Sequence, residues 1–167
     1  TGIAYLYSFT NVTALGLIND PERSDMNFIR GRARGIPAAD AALNIEGIPL
    51  IKPPWGRITA IDLKQGEILW QVAHGETPDN IKNHPLLQGI DIPRTGRIGR
   101  VGTLITKSLV IAAESGGTIT LPSGEEGAYL RAYDKQTGAD AGQVVVPASA
   151  SGSPMTYMHD GQQYIVF

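Results

Sequence analysis

Cysteine is absent from this chain of 167 residues. That excludes disulfides, thiol nucleophiles and thiolate metal centres together. It leaves the compartment open, because periplasmic proteins also do without cysteine. Long apolar runs are missing as well. The longest, such as Leu109–Ala113, fall far below the ~18 residues that span a bilayer as a helix. No basic stretch followed by an apolar one opens the chain, so no secretory signal is expected within it. Charge of one sign is not in excess either. Fourteen Lys and Arg face 16 Asp and Glu, for a net charge of −2, which supplies no bulk attraction to nucleic acid or anionic membranes. Amphipathic helical periodicity is scarce.

Glycine and proline are plentiful: 20 and 11 residues, close to a fifth of the chain against a usual ~12%. With 42% hydrophobic and 18% charged residues, disorder by composition is excluded. The combination predicts an all-β domain of short strands and tight turns. Strands are expected at Ile3–Phe9, Arg57–Leu63, Glu67–Val72, Gly102–Thr106, Leu109–Ala113, Tyr129–Asp134, Gln143–Val146, Pro154–Met158 and Gln163–Phe167. Lys64-Gln65-Gly66 and Asp160-Gly161 read as hairpin turns that need positive φ. Short helices are expected at Ala38–Ile45 and at Pro78–Leu87, the latter capped by Thr77 and limited by Pro85. Asn19–Pro37, Ala73–Arg100 and Ser115–Gly127 read as loops. The chain starts at Thr1 and ends in a β-like stretch, so a processed protein or a piece of a longer one is expected.

An internal repeat organises these strands. Ile58–Val72 aligns without gaps on Leu130–Val144, matching Ala60/Ala132, Asp62/Asp134, Gly66/Gly138, Gln71/Gln143 and Val72/Val144. An Asp that closes a strand accepts turn N–H groups, and Gly supplies the positive φ that starts the next strand. Asp62 and Asp134 are therefore read as turn residues, not catalytic carboxylates. Trp70 is read as a plug against a neighbouring sheet; its counterpart is Gly142, which weakens that docking in the second copy. The spacing from Asp62 to Asp134 exceeds the ~40–45 residues of a plain propeller blade, and an insertion at Ala73–Arg100 accounts for the excess.

The pattern A-x-D-x-x-x-G-x-x-x-W resembles the blade motif of the pyrroloquinoline quinone (PQQ) dehydrogenases. Lys52–Asp62, Gly66–Val72, Gly75–Asp79, Asn83–Pro85, Ile92–Gly96, Leu130–Asp134 and Ser151–Tyr157, in that order, are similar to the C-terminal part of the membrane-type quinoprotein glucose dehydrogenases. The resemblance is good over roughly 50–167 and weak over 1–49. It implies a partial β-propeller: about two to three four-stranded antiparallel blades of an eight-bladed ring, spanning 1–167, with blade-like repeats around 57–72 and 129–146. It implies PQQ with Ca²⁺ near the ring axis, and an Asp general base with hydride passing from an alcohol to the quinone. The base, the calcium ligands and the stacking Trp belong to earlier blades, so no catalytic residue or metal ligand is expected here. The implied partners are a sugar or polyol substrate and the remaining blades, or self-association through open strand edges. The implied location is periplasmic, with any membrane attachment through a segment outside these residues.

Four residues are expected on the cofactor side. Asn11 falls where the family carries an Asn that bonds the quinone, and an amide offers both donor and acceptor; the alternative is a turn residue. Gly99, Arg100 and Val101 lie in Arg94–Gly102, where glycines permit close approach and Arg94, Arg97 and Arg100 offer forked donors to the three carboxylates of PQQ. The G-x-x-G-x-x-G spacing there, with no βα unit, does not suit a Rossmann site. A solvated loop, or a stand-alone anion binder, is the competing reading of the same stretch. A non-catalytic scaffold propeller competes with the enzyme, and the long loops favour the enzyme. Trp55 is expected to pack. His74, His84 and His159 lack metal-binding spacing: His159 reads as a surface hairpin residue and His84 as a cap or loop residue. The basic run Arg30–Arg34 lacks the aromatics of an RNA-binding sheet, and no nucleic-acid partner is expected.

Overall fold

The computed structural model describes residues 2–36 and 43–167. It divides into two compact units, one of Thr1–Thr10 with Pro53–Phe167 and one of Asn11–Lys52. In the first unit, β1 (Ile3–Phe9), β6 (Gly56–Asp62) and β7 (Glu67–Ala73) form a three-stranded antiparallel sheet. Then β8 (Thr103–Ile105), β9 (Leu109–Ala113), β11 (Glu126–Asp134) and β12 (Asp140–Val146) run as a four-stranded antiparallel meander. The short β10 (Ile119–Thr120) pairs with the start of β11. A hairpin of β13 (Met155–His159) and β14 (Gln162–Val166) follows. The second unit holds two small antiparallel pairs: β2 (Leu15–Ile18) with β3 (Ile29–Arg32), and β4 (Asn44–Ile45) with β5 (Ile48–Pro49).

The four-stranded meander is a propeller blade, flanked by a three-stranded partner sheet and a two-stranded hairpin. No sheet among the described residues closes on itself. The all-β, partial-propeller architecture expected from the sequence is the one observed. The middle sheet is covered on both faces, as strand alternation requires of a buried sheet. Val110, Ala112 and Tyr133 bury toward Ile58, Tyr5, Tyr7, Trp70 and Val72. Ile111, Ala113 and Leu130 face the other way, toward Ile165, Ala150 and Val146.

The repeat is structural down to its irregularities. Both copies slip register at the same place, between Ala60 and Ile61 and between Ala132 and Tyr133. Asp62 Oδ1 accepts the Lys64 N–H at 2.8 Å, and Asp134 Oδ1 accepts those of Gln136 and Thr137 at 3.0 and 2.9 Å. Gly66 and Gly138 close the turns at φ 72° and 74°. Trp70 then lies across the next blade's turn: its Nε1 donates to Lys135 O at 3.2 Å, and its ring sits where a Gly138 Cβ would be, 2.7 Å from the nearest ring atom. Gly142, the Trp70 counterpart, has open space at its Cα.

Several local expectations need correction. The helix expected at Ala38–Ile45 lies mostly outside the described residues, and its described end is extended as β4. Pro78–Leu87 is not one helix but a turn of α-helix, α1 (Asp79–Lys82), and a 3-10 turn at Pro85–Leu87, because Pro85 cannot donate into a continuing helix. Thr77 does not cap it; its hydroxyl accepts the Thr95 N–H at 3.2 Å. His84 does cap, accepting the Leu86 N–H through Nδ1 at 3.3 Å. Two of the expected loops contain strands: β3 within 19–37 and β10 within 115–127. Arg30 and Arg32 alternate outward along β3 around the half-buried Gly31, so that basic run is the solvated side of a hairpin.

Antiparallel connection puts alternate loops at opposite ends of the blades. The tight turns 63–66, 106–108, 135–139 and 160–161 share one end. The long connections 74–102, 114–125 and 147–154, and the junction of β1 with β6, share the other. Function is to be sought at that end.

Candidate functional site

At the long-loop end, glycine contacts lock four segments together. A Cβ on Gly56 would lie 2.1 Å from Arg97 O, one on Gly96 2.0 Å from Gly56 O, and one on Gly116 2.2 Å from Ile98 O. Gly99 backs onto Ser115 and Gly102 onto Ser153, with added Cβ atoms 2.8 and 2.6 Å from the nearest atoms. The close approach that these glycines permit is thus made by the protein's own backbone.

The three arginines of the loop have different fates. Arg94 Nη2 donates to both carboxylate oxygens of Asp140 at 2.9 and 3.0 Å, with its guanidinium beside the Tyr133 ring. Arg97 is buried, and its guanidinium donates to the carbonyls of Gly116, Gly117 and Thr118 at 3.1, 3.0 and 3.1 Å. Arg100 is exposed, and among the described residues no group pairs with its guanidinium. Its backbone N–H donates to Ser115 Oγ at 3.2 Å. A guanidinium is a forked, permanently charged donor whose geometry suits a carboxylate.

Beneath the loops lies a buried histidine for which the sequence reading found no role. His74 is 1% exposed. Its Nε2 donates to Ala113 O at 3.2 Å, so Nδ1 accepts from the Tyr133 hydroxyl at 2.9 Å. Burial lowers its pKa to about 4, with Arg131 and Arg94 adding to the effect against the Ala113 carbonyl. The imidazole is therefore neutral. Burial pushes the Tyr133 phenol up and the Tyr7 phenol up to about 12. Tyr7 donates to Arg97 O, while His74 O accepts the Arg97 N–H at 3.0 Å. Nothing in the spacing of single His and Tyr residues on different strands announces this convergence.

A second network stands beside it. Arg131, 4% exposed on β11, donates from Nε to Glu114 Oε1 at 2.5 Å, from Nη1 to Gln143 Oε1 at 2.5 Å, and from Nη2 to Glu76. Its guanidinium also covers the Tyr129 ring at 4.8 Å. Glu114 is fully buried, and among the described residues no group lies within good hydrogen-bond geometry of its Oε2. Burial raises the Glu114 pKa against the pull of Arg131.

Of the residues expected on the cofactor side, Gly99, Arg100 and Val101 share one loop of the first unit, whereas exposed Asn11 belongs to the second. Val101 turns its side chain into the core with Val110 and Tyr133, leaving its backbone as what it can offer outward. Trp55 is buried at 5% exposure, with its N–H donated to Thr95 O at 2.8 Å. His159 is exposed on its hairpin.

Stacked antiparallel blades with long loops at one end are the architecture of a β-propeller. The chain belongs to the family of PQQ glucose/ethanol/alcohol dehydrogenases, whose beta-propeller domain matches residues 19–165. It is 37% identical over 130 residues to the probable quinate dehydrogenase (quinone) of Xanthomonas campestris pv. juglandis, covering 74% of this chain and 15% of that protein. It is 29% identical over 126 residues to quinoprotein glucose dehydrogenase A of Acinetobacter calcoaceticus, covering 75% and 14%. It is 33% identical over 120 residues to the glycerol dehydrogenase large subunit of Gluconobacter oxydans (strain 621H), covering 71% and 15%. The matches thus span about 15% of the length of these relatives.

Proposed function

We propose that these residues are blades of a PQQ-dependent dehydrogenase that oxidises a sugar, a polyol or a related polyhydroxy alcohol such as quinate, and that they form one wall of its quinone pocket. The observation that carries the reading is the sorting of the loop arginines. Arg94 and Arg97 are committed to Asp140 and to the 116–118 carbonyls, while Arg100 stands unpaired among the described residues at the long-loop end. It stands next to edge strand β8, the strand that would line the ring axis.

A tricarboxylate fits that donor set. Arg100 would hold a carboxylate of PQQ, and the backbone of Gly99 and Val101 would border the ring system. Bound PQQ supplies the two-electron acceptor for alcohol oxidation. The described residues do not suit the accompanying Ca²⁺: no group of three or more His, Asp and Glu gathers among them. In this reading the ion's ligands and the catalytic base belong to other blades of the intact enzyme, and the chain alone is inactive. The names of the relatives support sugar, polyol and quinate substrates. A periplasmic setting follows from the quinoprotein family; no helix among the described residues is long and apolar enough to cross a membrane.

The test is a titration of the purified chain with PQQ, with and without Ca²⁺, followed by tryptophan fluorescence. Saturable binding that weakens in Arg100→Ala supports the reading. Absence of binding at high micromolar PQQ refutes it for this chain.

A further inference from the structure

We infer that Ser115 is a positioning residue that fixes where Arg100 presents its guanidinium. The inference rests on the reading that Arg100 faces the cofactor. The 94–102 loop is anchored through Arg97, by its N–H to His74 O and its O from Tyr7. Beyond that residue the chain runs outside any strand until Thr103. Within this span the Arg100 N–H is held by Ser115 Oγ at 3.2 Å. The Gly99 Cα lies flat on the Ser115 side chain, where a Cβ would be 2.8 Å from Ser115 Cβ. The hydroxyl therefore grips the backbone of the residue whose guanidinium has no partner among the described residues.

Ser115 is itself rigidly mounted. Glu114, the residue before it, donates its N–H to Tyr129 O at 2.8 Å and accepts the Ala150 N–H at 3.0 Å. Its carboxylate is tied to Arg131. The residues after it, Gly116 to Thr118, are clamped by the Arg97 guanidinium. A hydroxyl with both neighbours immobilised sets the height and direction of the Arg100 backbone, and a long flexible side chain binds an anion better when its root does not move.

The experiment uses the full chain and the Ser115→Ala variant, with PQQ as the probe and Arg100→Ala alongside. In Ser115→Ala, amide exchange at Arg100 is expected to accelerate about tenfold or more while the amides of β8 and β9 keep their protection. The PQQ dissociation constant is expected to rise about fivefold, the effect of losing one net hydrogen bond. Unchanged exchange at Arg100 overturns the inference. So does faster exchange with unaltered PQQ affinity, and in either case an Arg100→Ala defect leaves the function reading standing. A wild-type chain that does not bind PQQ removes both.

Discussion

Stability of the first unit should depend steeply on pH through His74. The folded state holds this imidazole at a pKa of about 4 because burial disfavours its charge; an unfolded chain titrates it near 6.5. The folded protein therefore binds fewer protons here than the unfolded one. The stabilisation is fully present above pH 6.5 and is lost as pH falls toward 4. At 1.36 kcal/mol per pKa unit, the loss is about 2 kcal/mol at pH 5 and about 3 kcal/mol at pH 4. That is a large part of the ~5–15 kcal/mol of a typical domain. Urea unfolding at pH 7, 6 and 5, read through Trp55 and Trp70, measures it. His74→Gln cannot titrate. It should be less stable than wild type at pH 7, where its fit to Tyr133 and Ala113 is poorer, and the gap should close by pH 5. Parallel pH profiles between pH 6.5 and 5, or an NMR titration of His74 near 6.5, would refute the argument.

The twin turns predict unequal effects of one substitution. Gly66→Ala meets nothing within 4 Å and carries only its φ of 72°, whereas Gly138→Ala also meets Trp70. Losses of about 1 and about 3 kcal/mol are expected on chemical unfolding, with a shifted Trp70 emission only in the second. Arg131→Met leaves Glu114 as an uncompensated buried carboxylate and should lower stability at pH 7 by about 3–5 kcal/mol. Measured at pH 4, that deficit should be smaller, because the carboxyl can then take a proton. Arg100→Ala should leave the unfolding free energy from urea titration within about 0.5 kcal/mol of wild type. Arg97→Ala, which removes three carbonyl bonds, should cost about 2–3 kcal/mol and expose the amides around 115–118 to exchange.

Strands and turns were legible in the sequence because their causes are local. The Ile3–Phe9 and Leu109–Ala113 strands lie where short apolar runs with aromatic or β-branched residues put them. Asp62-x-x-x-Gly66 and its twin turn as their chemistry demands, since an Asx turn needs only the residues it spans. β3 escaped notice because two arginines and a glycine form it, and the pairing with β2, not propensity, makes it extended. The 78–87 segment read as a helix by its caps; it breaks because Pro85 cannot donate into a continuing helix, and its expected cap Thr77 is taken up by Thr95.

The site was legible only as a list. Three arginines and three glycines in nine residues announced an anion-facing loop, and residue chemistry cannot rank arginines that share it. The ranking came from partners brought in from segments distant in sequence: Asp140 for Arg94, the 116–118 carbonyls for Arg97, and for Arg100 only a backbone grip from Ser115. His74 and Arg131 gained their roles the same way, through atoms 39 and 17 residues distant in sequence. The sequence by itself determined the longer strands of the first unit, the tight turns, the repeat and the family, all properties of short segments and their order. Tertiary structure alone decided which charges are satisfied and which imidazole is neutral, because burial and pairing depend on groups that only folding brings within a few ångströms.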